Sequence, residues 1–75
     1  MGDHPVHADL WDFARRLRAL RLARGFSQAA LAEAAEISQK AVQRYETARE
    51  EPRLSTLPRL AAALGVTVGQ LAGDA

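Results

Sequence analysis

Two serines eleven residues apart, Ser27 and Ser38, constrain the fold of this chain more than any other feature of its sequence. Serine is a preferred N-cap because its hydroxyl oxygen accepts a hydrogen bond from a backbone N–H in the first turn of a helix. Each serine is followed by apolar residues at helical spacing, which are Leu31, Ala32 and Ala35 after the first and Val42 and Tyr45 after the second. We therefore predict helices over residues 28–35 and 39–47, joined by a tight turn at residues 36–37.

The second of these helices has a polar face. Its long hydrogen-bonding side chains lie on the side opposite Val42 and Tyr45, and they are Gln39, Lys40, Gln43 and Arg44. Glutamine, lysine and arginine suit the base edges and phosphates of nucleic acid, although a polar helix face is more often only solvated. Two short helices separated by so tight a turn make a helix-turn-helix candidate.

The composition is that of one small soluble domain. Seventy-five residues with 48% apolar and 25% charged side chains are close to the lower size limit for a single core. The chain has no cysteine, which excludes disulfides and thiolate metal sites. No apolar run approaches the roughly 18 residues of a membrane span, so we expect a cytoplasmic location. Because the net charge is only +1, any DNA-binding face must be a local patch.

The first helix is predicted over residues 9–24, with Asp9 as its N-cap. Its buried stripe follows helical spacing and consists of Leu10, Phe13, Leu17 and Leu20. Residues 1–8 have no periodicity and contain a proline, so we expect a flexible leader. His4 and His7 precede any rigid element, and we expect a polar tail there and no metal site.

The fourth helix follows a loop. Residues 48–53 combine charged side chains with a proline, which is typical of a loop. Ser55 or Thr56 is the expected N-cap, and Pro58 suits the first turn because its missing N–H would lack an intrahelical partner there. The helix is predicted to end before Gly65, and its inner face consists of Leu57, Leu60, Ala61 and Leu64.

A short fifth helix completes the chain. Thr67 and Gln70 have the form of a capping box, in which each side chain bonds to the backbone N–H of the other residue. The helix is predicted to end at Ala72 and to be followed by a tail at residues 73–75. Its inward-facing apolar residues are Val68 and Leu71. Since strand patterns and internal repeats are absent from the sequence, residues 9–72 are predicted to form one all-α domain of five helices.

Arg21 is the unusual residue of the first helix. It lies beside Leu17 and Leu20 on the predicted buried stripe. Burying a guanidinium without a partner is costly, so the chain should supply a carboxylate. The alternative is that the arginine extends its charged end to water while its stem covers apolar surface. The residues alone leave both interpretations open.

The pattern as a whole matches a known family. The matching residues run from about Leu17 to Leu71, and they are Leu20, Arg21, Gly25, Phe26, Ser27, Gln28, Leu31, Ala32, Ile37, Ser38, Val42, Tyr45, Glu46, Pro52, Leu57, Leu60, Ala61, Ala63, Leu64, Gly65, Val66 and Leu71. With them the chain resembles the phage-repressor and Cro type of helix-turn-helix domain, often called the XRE family. The resemblance implies a lambda-repressor-like bundle of five short helices, in which helices 2 and 3 form the helix-turn-helix and helix 3 enters the major groove of double-stranded DNA. It also implies a protein of the prokaryotic cytoplasm or nucleoid, or one encoded by a phage.

The resemblance implies three sets of functional residues. The expected base contacts are Gln39, Lys40 and Arg44, with Gln43 as a weaker candidate for base or phosphate. The expected phosphate contacts are Gln28, Ser27, Ser38 and Arg49, and the first of these is also a candidate to brace helix 3. Arg21 and Glu46 are expected to form a buried ion pair that holds helix 3 against helix 1 and does not contact DNA.

The chain departs from the family pattern on both sides of helix 3. The turn before it usually has a left-handed glycine, where this chain has Glu36, and we expect strain or altered geometry there. After helix 3 the family often has a glycine followed by basic residues, whereas this chain has Ala48 and then the pair Glu50 and Glu51. Two carboxylates close to a phosphate strand would repel it, so this loop is expected to add little affinity or to point elsewhere.

The expected function is sequence-specific regulation of transcription, as a repressor or autoregulator that binds a palindromic operator as a homodimer. Because no second domain is evident to join two copies, the dimer contact is expected around helix 5, at Val66, Val68 and Leu71. The alternative is a protein-interaction module of the same fold, of the antitoxin or transcription-bridging type, that binds a toxin or the transcription machinery and binds DNA only weakly. The residues offer no nucleophile with its base, no phosphate loop and no metal constellation, so an enzyme and a cofactor are not expected.

Overall fold

Five helices make up the part of the chain that the structure describes, a computed structural model covering residues 6–73 with side chains from Leu10 onward. Their bounds are α1 Val6–Ala23, α2 Gln28–Ala35, α3 Gln39–Glu46, α4 Leu57–Leu64 and α5 Val68–Ala72. No strand occurs within these residues. The prediction of an all-α chain of five helices is confirmed, and three residues separate α2 from α3.

Side-chain caps begin both helices of the predicted motif. Ser27 Oγ accepts a hydrogen bond of 2.9 Å from the backbone N–H of Ala30, and Ser38 Oγ accepts one of 3.0 Å from that of Ala41. The capping box predicted for α5 is also present. A serine cap contributes about 1 kcal/mol, which matters for helices too short to be stable alone.

Left-handed residues end α1 to α4, but only two of them are glycines. Gly25 and Gly65 have φ values of 75° and 72° after α1 and α4. Glu36 and Ala48 occupy the same position after α2 and α3, with φ values of 59° and 55°. Left-handed geometry costs a residue with a Cβ atom roughly 1–2 kcal/mol. The turn after α2 is therefore strained. It still closes with the usual hydrogen bond, in which the backbone N–H of Ile37 donates to the backbone oxygen of Ala32 at 2.9 Å.

Three helix ends differ from the sequence prediction, and one of them is the end of α1, which lies at Ala23, one residue earlier than predicted. α1 begins at Val6 and not at Asp9, so residues 6–8 of the predicted leader continue this helix. Aspartate favours the first turn of a helix through the helix dipole as well as the N-cap position, so its presence does not fix the start. α3 ends one residue earlier than predicted, with Thr47 as its C-cap. Thr56 occupies the N-cap position of α4, but its side chain makes no cap hydrogen bond.

Most predictions for the two chain ends lie outside the described residues. They comprise residues 1–5 of the leader, with His4, the side chain of His7, and residues 74–75 of the tail. Among the helices that are described, none combines the length and the hydropathy needed to cross a membrane. Likewise, within residues 6–73 no three side chains of metal-ligating type come together.

All five helices contribute to one core. Its fully buried large side chains are Leu17, Leu31, Val42, Leu60, Leu64 and Leu71. Burying one such side chain contributes roughly 1.5–3 kcal/mol. The predicted stripe of α1 is confirmed at Phe13 and Leu17, whereas Leu10 and Leu20 are only half-buried at its edges. Ala14, which the stripe did not include, is also fully buried.

The packing holds α3 on one side and leaves it open on the other. α3 packs against α1 and α2, α4 packs against α2, and α5 packs against α1 and α4. Within the described residues, the side of α3 that faces away from the bundle is exposed to solvent.

Candidate nucleic-acid interface

α3 has a buried face and an exposed face. Val42, Tyr45 and Glu46 are buried against the bundle. The four residues predicted to contact bases are all exposed, and they are Gln39, Lys40, Gln43 and Arg44. The structure thus brings these side chains to the solvent side of one short helix, as an element that enters the major groove requires.

An open groove of about 430 Å³ runs along this exposed face. Its walls come from α2, α3 and the segment after α3, and the lining residues are Gln28, Lys40, Gln43, Arg44, Thr47 and Arg49. Three of these six side chains are positively charged. The groove is therefore a local basic patch on a chain whose net charge is only +1, as an anionic ligand would need. Thr47 was not among the predicted site residues, and Gln39 does not line the groove.

The predicted phosphate contacts Ser27 and Ser38 serve as the caps of α2 and α3. Each hydroxyl oxygen accepts a backbone hydrogen bond, but its own hydrogen is still available as a donor. Both residues are exposed. Helix N-termini also favour anions through the helix dipole and the free N–H groups of the first turn. The two serines are therefore able to bind a phosphate without losing their capping role.

Arg21 and Glu46 form the buried ion pair that the resemblance implies. Arg21 Nε donates to Glu46 Oε2 at 2.6 Å, and Arg21 Nη2 donates to Glu46 Oε1 at 2.9 Å. The two side chains are only 7% and 1% exposed, so the alternative in which Arg21 extends to water is wrong. Arg21 Nη1 donates to the backbone oxygen of Phe26 at 2.8 Å, which ties the pair to the α1–α2 turn.

Glu46 stabilises the positive charge of Arg21. The hydrogen bond to Glu46 raises the pKa of Arg21 above its ordinary value, and the nearby carboxylate charge adds to this effect while burial opposes it. A raised pKa means that the arginine's contribution to stability is present below its ordinary pKa and is lost only above it. Because the ordinary pKa of arginine is already far above neutral and is raised further here, Arg21 stays charged at neutral and moderately alkaline pH.

Gln28 connects the buried pair to the groove. Its half-buried side chain lines the groove, and its Nε2 donates to Glu46 Oε1 at 3.0 Å. This hydrogen bond crosses from α2 to α3 and is the bracing contact that the resemblance implied. The amide retains a second N–H and an acceptor oxygen. Of these two groups, only the second N–H is able to donate to a phosphate oxygen, because a phosphate diester has no hydrogen to give to the amide oxygen.

The position of Glu50 was not foreseen from the sequence. Arg44 Nε donates to Glu50 Oε1 at 2.9 Å, and both side chains are 46% exposed. The loop after α3 was expected to add little affinity or to point away, but one of its two carboxylates lies against a predicted base-contacting arginine. Glu51 lines a different cavity, between α1 and the end of α5. Helical periodicity does not extend past the end of α3, so no sequence pattern indicated this separation of the two glutamates.

The three residues predicted to form a dimer contact are not equivalent. Val68 is 40% exposed, so the prediction that it faces inward is wrong, and Val66 is half-buried. Leu71 is fully buried in the core, so its predicted role in a dimer contact is wrong. The end of α5 is fixed to α1 by Arg16, whose Nε and Nη2 donate to the backbone oxygens of Leu71 and Ala72 at 2.8 and 3.0 Å.

Comparison with known proteins identifies the family. A family model described as a helix-turn-helix domain matches residues 12–72. The restriction-modification controller protein C.AhdI from Aeromonas hydrophila is 36% identical, with a TM-score of 0.83 over 85% of this chain and 97% of that chain. The chain belongs to the XRE-type helix-turn-helix family.

Two further solved structures agree with this assignment. The hypothetical transcription factor NHTF from Neisseria is 33% identical, with a TM-score of 0.79 over 95% of this chain and 83% of that chain. The clp gene regulator ClgR from C. glutamicum is 26% identical, with a TM-score of 0.81 over 88% of this chain and 85% of that chain. Comparison with curated protein sequences returned no match.

Membership of the XRE-type family establishes the fold and the general function. The fold is the all-α, lambda-repressor-like bundle, with α2 and α3 as the helix-turn-helix. The family and its solved relatives are transcription regulators and not enzymes, so the chain is a DNA-binding regulator. In this type of domain the helix in the position of α3 enters the major groove.

Proposed function

We propose that the chain is a sequence-specific regulator of transcription, a repressor or autoregulator that binds a palindromic operator as a homodimer. The observation that carries the proposal is the basic groove along the exposed face of α3, bounded by the capped N-termini of α2 and α3. Its similarity to a restriction-modification controller supports control of gene expression by a small domain of this kind.

In the proposed complex, sequence is recognised by the exposed side chains of α3. Lys40 and Arg44 suit the O6 and N7 acceptors of guanine, while Gln39 and Gln43 suit the N6 and N7 groups of adenine. A good bidentate contact discriminates against the wrong base by roughly 1–3 kcal/mol. Four exposed side chains of these types on one helix are enough for a short half-site.

Phosphate contacts position the domain on the duplex and carry no sequence information. We assign them to residues around the rim of α3, which are Ser27, Gln28, Ser38 and Arg49. Two of these are helix caps and the other two line the basic groove, where Gln28 is also braced by Glu46. Rigid donors in these places would fix the angle at which α3 enters the major groove.

We assign the dimer contact to Val66 and Val68, around the start of α5. Val68 is one of the large apolar side chains that remain exposed in the described residues. A two-fold contact there would set the two copies of α3 about one turn of DNA apart, which is roughly 34–36 Å. Val68→Lys should weaken self-association in sedimentation experiments, whereas Leu22→Lys, at an exposed leucine of α1, should not.

A protein-interaction module of the same fold, which binds a toxin or the transcription machinery, is the second candidate. The observation that favours it is the Arg44–Glu50 pair, which places a carboxylate on the proposed DNA-binding face. The low net charge points the same way. Such a module would bind selected and random DNA with similar, weak affinity.

Selection of binding sites from random duplex DNA tests the proposed function. A regulator should return a palindrome whose half-sites are centred about one helical turn apart. Its binding constant should fall linearly with salt on a double logarithmic scale, and selected DNA should bind at least about 1,000-fold more tightly than random DNA. Failure to enrich any sequence, with equal affinity for all duplexes, would support the interaction module.

Arg44→Ala then separates base contact from phosphate contact. If Arg44 contacts guanine, the variant should lose preference at one position of each half-site at a cost of roughly 1–3 kcal/mol. A uniform loss over all sequences would assign Arg44 to a phosphate. Arg15→Ala is the matched control, because it removes one exposed arginine that does not line the groove.

A further inference from the structure

The turn after α3 returns the chain toward the groove. Ala48 has a left-handed φ of 55°, and the N–H of Arg49 donates to the backbone oxygen of Arg44 at 2.9 Å. This closed turn places the Arg49 side chain in the groove wall and the Glu50 carboxylate beside Arg44. The position of Glu50 is therefore set by the backbone and not by the side-chain pair alone.

The contact with Glu50 occupies one edge of the Arg44 guanidinium. Within the described residues, Arg44 makes one side-chain hydrogen bond, from Nε to Glu50 Oε1 at 2.9 Å. A guanidinium has a fork of five N–H donors. With Nε engaged, the terminal pair Nη1 and Nη2 remains as two parallel donors, which is the arrangement that guanine O6 and N7 accept.

The same carboxylate makes Arg44 a poorer ligand for phosphate. Phosphate accepts hydrogen bonds from any edge of a guanidinium, and its negative charge would lie close to that of Glu50. Like charges at such short range repel each other even when partly solvated. Guanine carries no net charge, so a guanine contact through Nη1 and Nη2 does not meet this repulsion.

We propose that Glu50 is a specificity-determining residue, which orients Arg44 for guanine and reduces its binding to phosphate on unrelated DNA. This inference rests on the proposed function and refines it, because it predicts that a carboxylate on the DNA-binding face improves discrimination while lowering total affinity. Regulators need that balance, since random sites greatly outnumber operators.

The test compares Glu50→Gln with Glu51→Gln and with the wild type. Both substitutions remove one negative charge from neighbouring positions, but within the described residues Glu51 lines a different cavity and makes no hydrogen bond with Arg44. Binding is measured by fluorescence anisotropy with two duplexes, one selected by the wild-type protein and one of the same composition in scrambled order, over a series of salt concentrations.

Glu50→Gln should tighten binding to the scrambled duplex, with a salt slope that steepens by about one because Arg44 becomes free to bind phosphate. The ratio of selected to scrambled affinity should fall by about tenfold, the size of one base contact. Glu51→Gln should leave this ratio within about twofold, since surface charge changes act equally on all sequences. Equal ratios for the two variants, or equal weakening on both duplexes in Glu50→Gln, would overturn the inference.

A second measurement needs no DNA. The Nε–H of Arg44 should exchange with water a few-fold more slowly in the wild type and in Glu51→Gln than in Glu50→Gln, because an exposed pair protects its hydrogen bond only weakly. Equal exchange rates in all three proteins would also overturn the inference. A wild-type protein that does not distinguish selected from scrambled DNA would instead contradict the proposed function, so the two failures are distinguishable.

Discussion

α3 carries an arginine–glutamate pair on each side, and the two pairs differ mainly in their access to water. On the inner side, Arg21 and Glu46 are 7% and 1% exposed and share two hydrogen bonds. On the outer side, Arg44 and Glu50 are each 46% exposed and share one. The same two functional groups therefore pair in two different electrostatic environments, and each pair has one member on α3, a helix of eight residues.

The comparison teaches that burial and hydrogen bonding decide what such a pair does. Charges removed from water must be fully compensated, so the loss of either inner partner leaves the other stranded. Charges that stay in water attract each other only weakly, so the outer pair favours one orientation of Arg44 without fixing it. The inner pair thus fixes where α3 lies, and the outer pair influences which groups Arg44 contacts.

The largest expected effect is on the inner pair. Glu46→Gln keeps the shape of the side chain but removes the charge, and it should lower the free energy of unfolding by about 3–5 kcal/mol because Arg21 is left buried without its counter-ion. Thermal and urea unfolding measure this directly. Since 1 kcal/mol shifts the melting temperature of a domain of this size by about 4–8 °C, a variant that melted within about a degree or two of the wild type would show that the pair does not hold α3.

A double variant at the same site distinguishes the net stabilisation by the intact ion pair from the destabilisation caused by removing one partner. Arg21→Met with Glu46→Leu replaces both charges by apolar side chains of similar length, and such replacements are often neutral or stabilising. We expect a coupling free energy of about 3 kcal/mol between the two positions in a double-mutant cycle. Additive losses in the cycle would mean that packing, and not the stranded charge, explains the single variants.

The sequence was sufficient for the elements that local rules control. Ser27 and Ser38 fixed the starts of α2 and α3 because a cap is a short-range interaction between neighbouring residues. The charge at Arg21 indicated a buried partner because an apolar stripe cannot hold a lone guanidinium. Its partner Glu46 came only from the family resemblance, since the two residues are 25 positions apart in the sequence.

The features that could not be predicted depend on backbone geometry outside regular helices. Alanine rarely adopts a left-handed conformation. The residue type at Ala48 therefore did not predict the closed turn that brings Glu50 back to Arg44. The burial of Leu71 was foreseen, but its helix is so short that one residue cannot serve both the core and a dimer contact. Both outcomes are set by the packing of α5 and the loop, which no local pattern encodes.

Substitutions in the turns before and after α3, at Glu36 and Ala48, should have a smaller effect on the free energy of unfolding. Glu36→Gly and Ala48→Gly each relieve left-handed strain of roughly 1–2 kcal/mol in the folded state. Part of this stabilisation is offset, because glycine also increases the conformational entropy of the unfolded chain. Each should therefore raise the free energy of unfolding by roughly 0.5–1 kcal/mol. Neither variant should speed Nε–H exchange in Arg44, because glycine retains the left-handed turn that places Glu50 beside Arg44.

Gly25→Ala calibrates the strain itself. A Cβ atom added at Gly25 would meet no other atom within 4 Å, so its cost is the left-handed conformation alone. A loss of roughly 1–2 kcal/mol is expected. If Gly25→Ala were neutral, the gains predicted for the turns around α3 would have no physical basis.

The smallest expected effect is on the outer pair, and it completes the comparison. Glu50→Gln should change the free energy of unfolding by less than about 1 kcal/mol, because exposed pairs gain little and lose side-chain entropy. The small change should vanish as salt is raised, since screening acts over about 10 Å at 0.1 M and over about 3 Å at 1 M. The loss in Glu46→Gln should persist at high salt, because water and ions do not reach the buried pair. A similar salt response in the two variants would mean that the two sides of α3 do not differ in the way their exposures indicate.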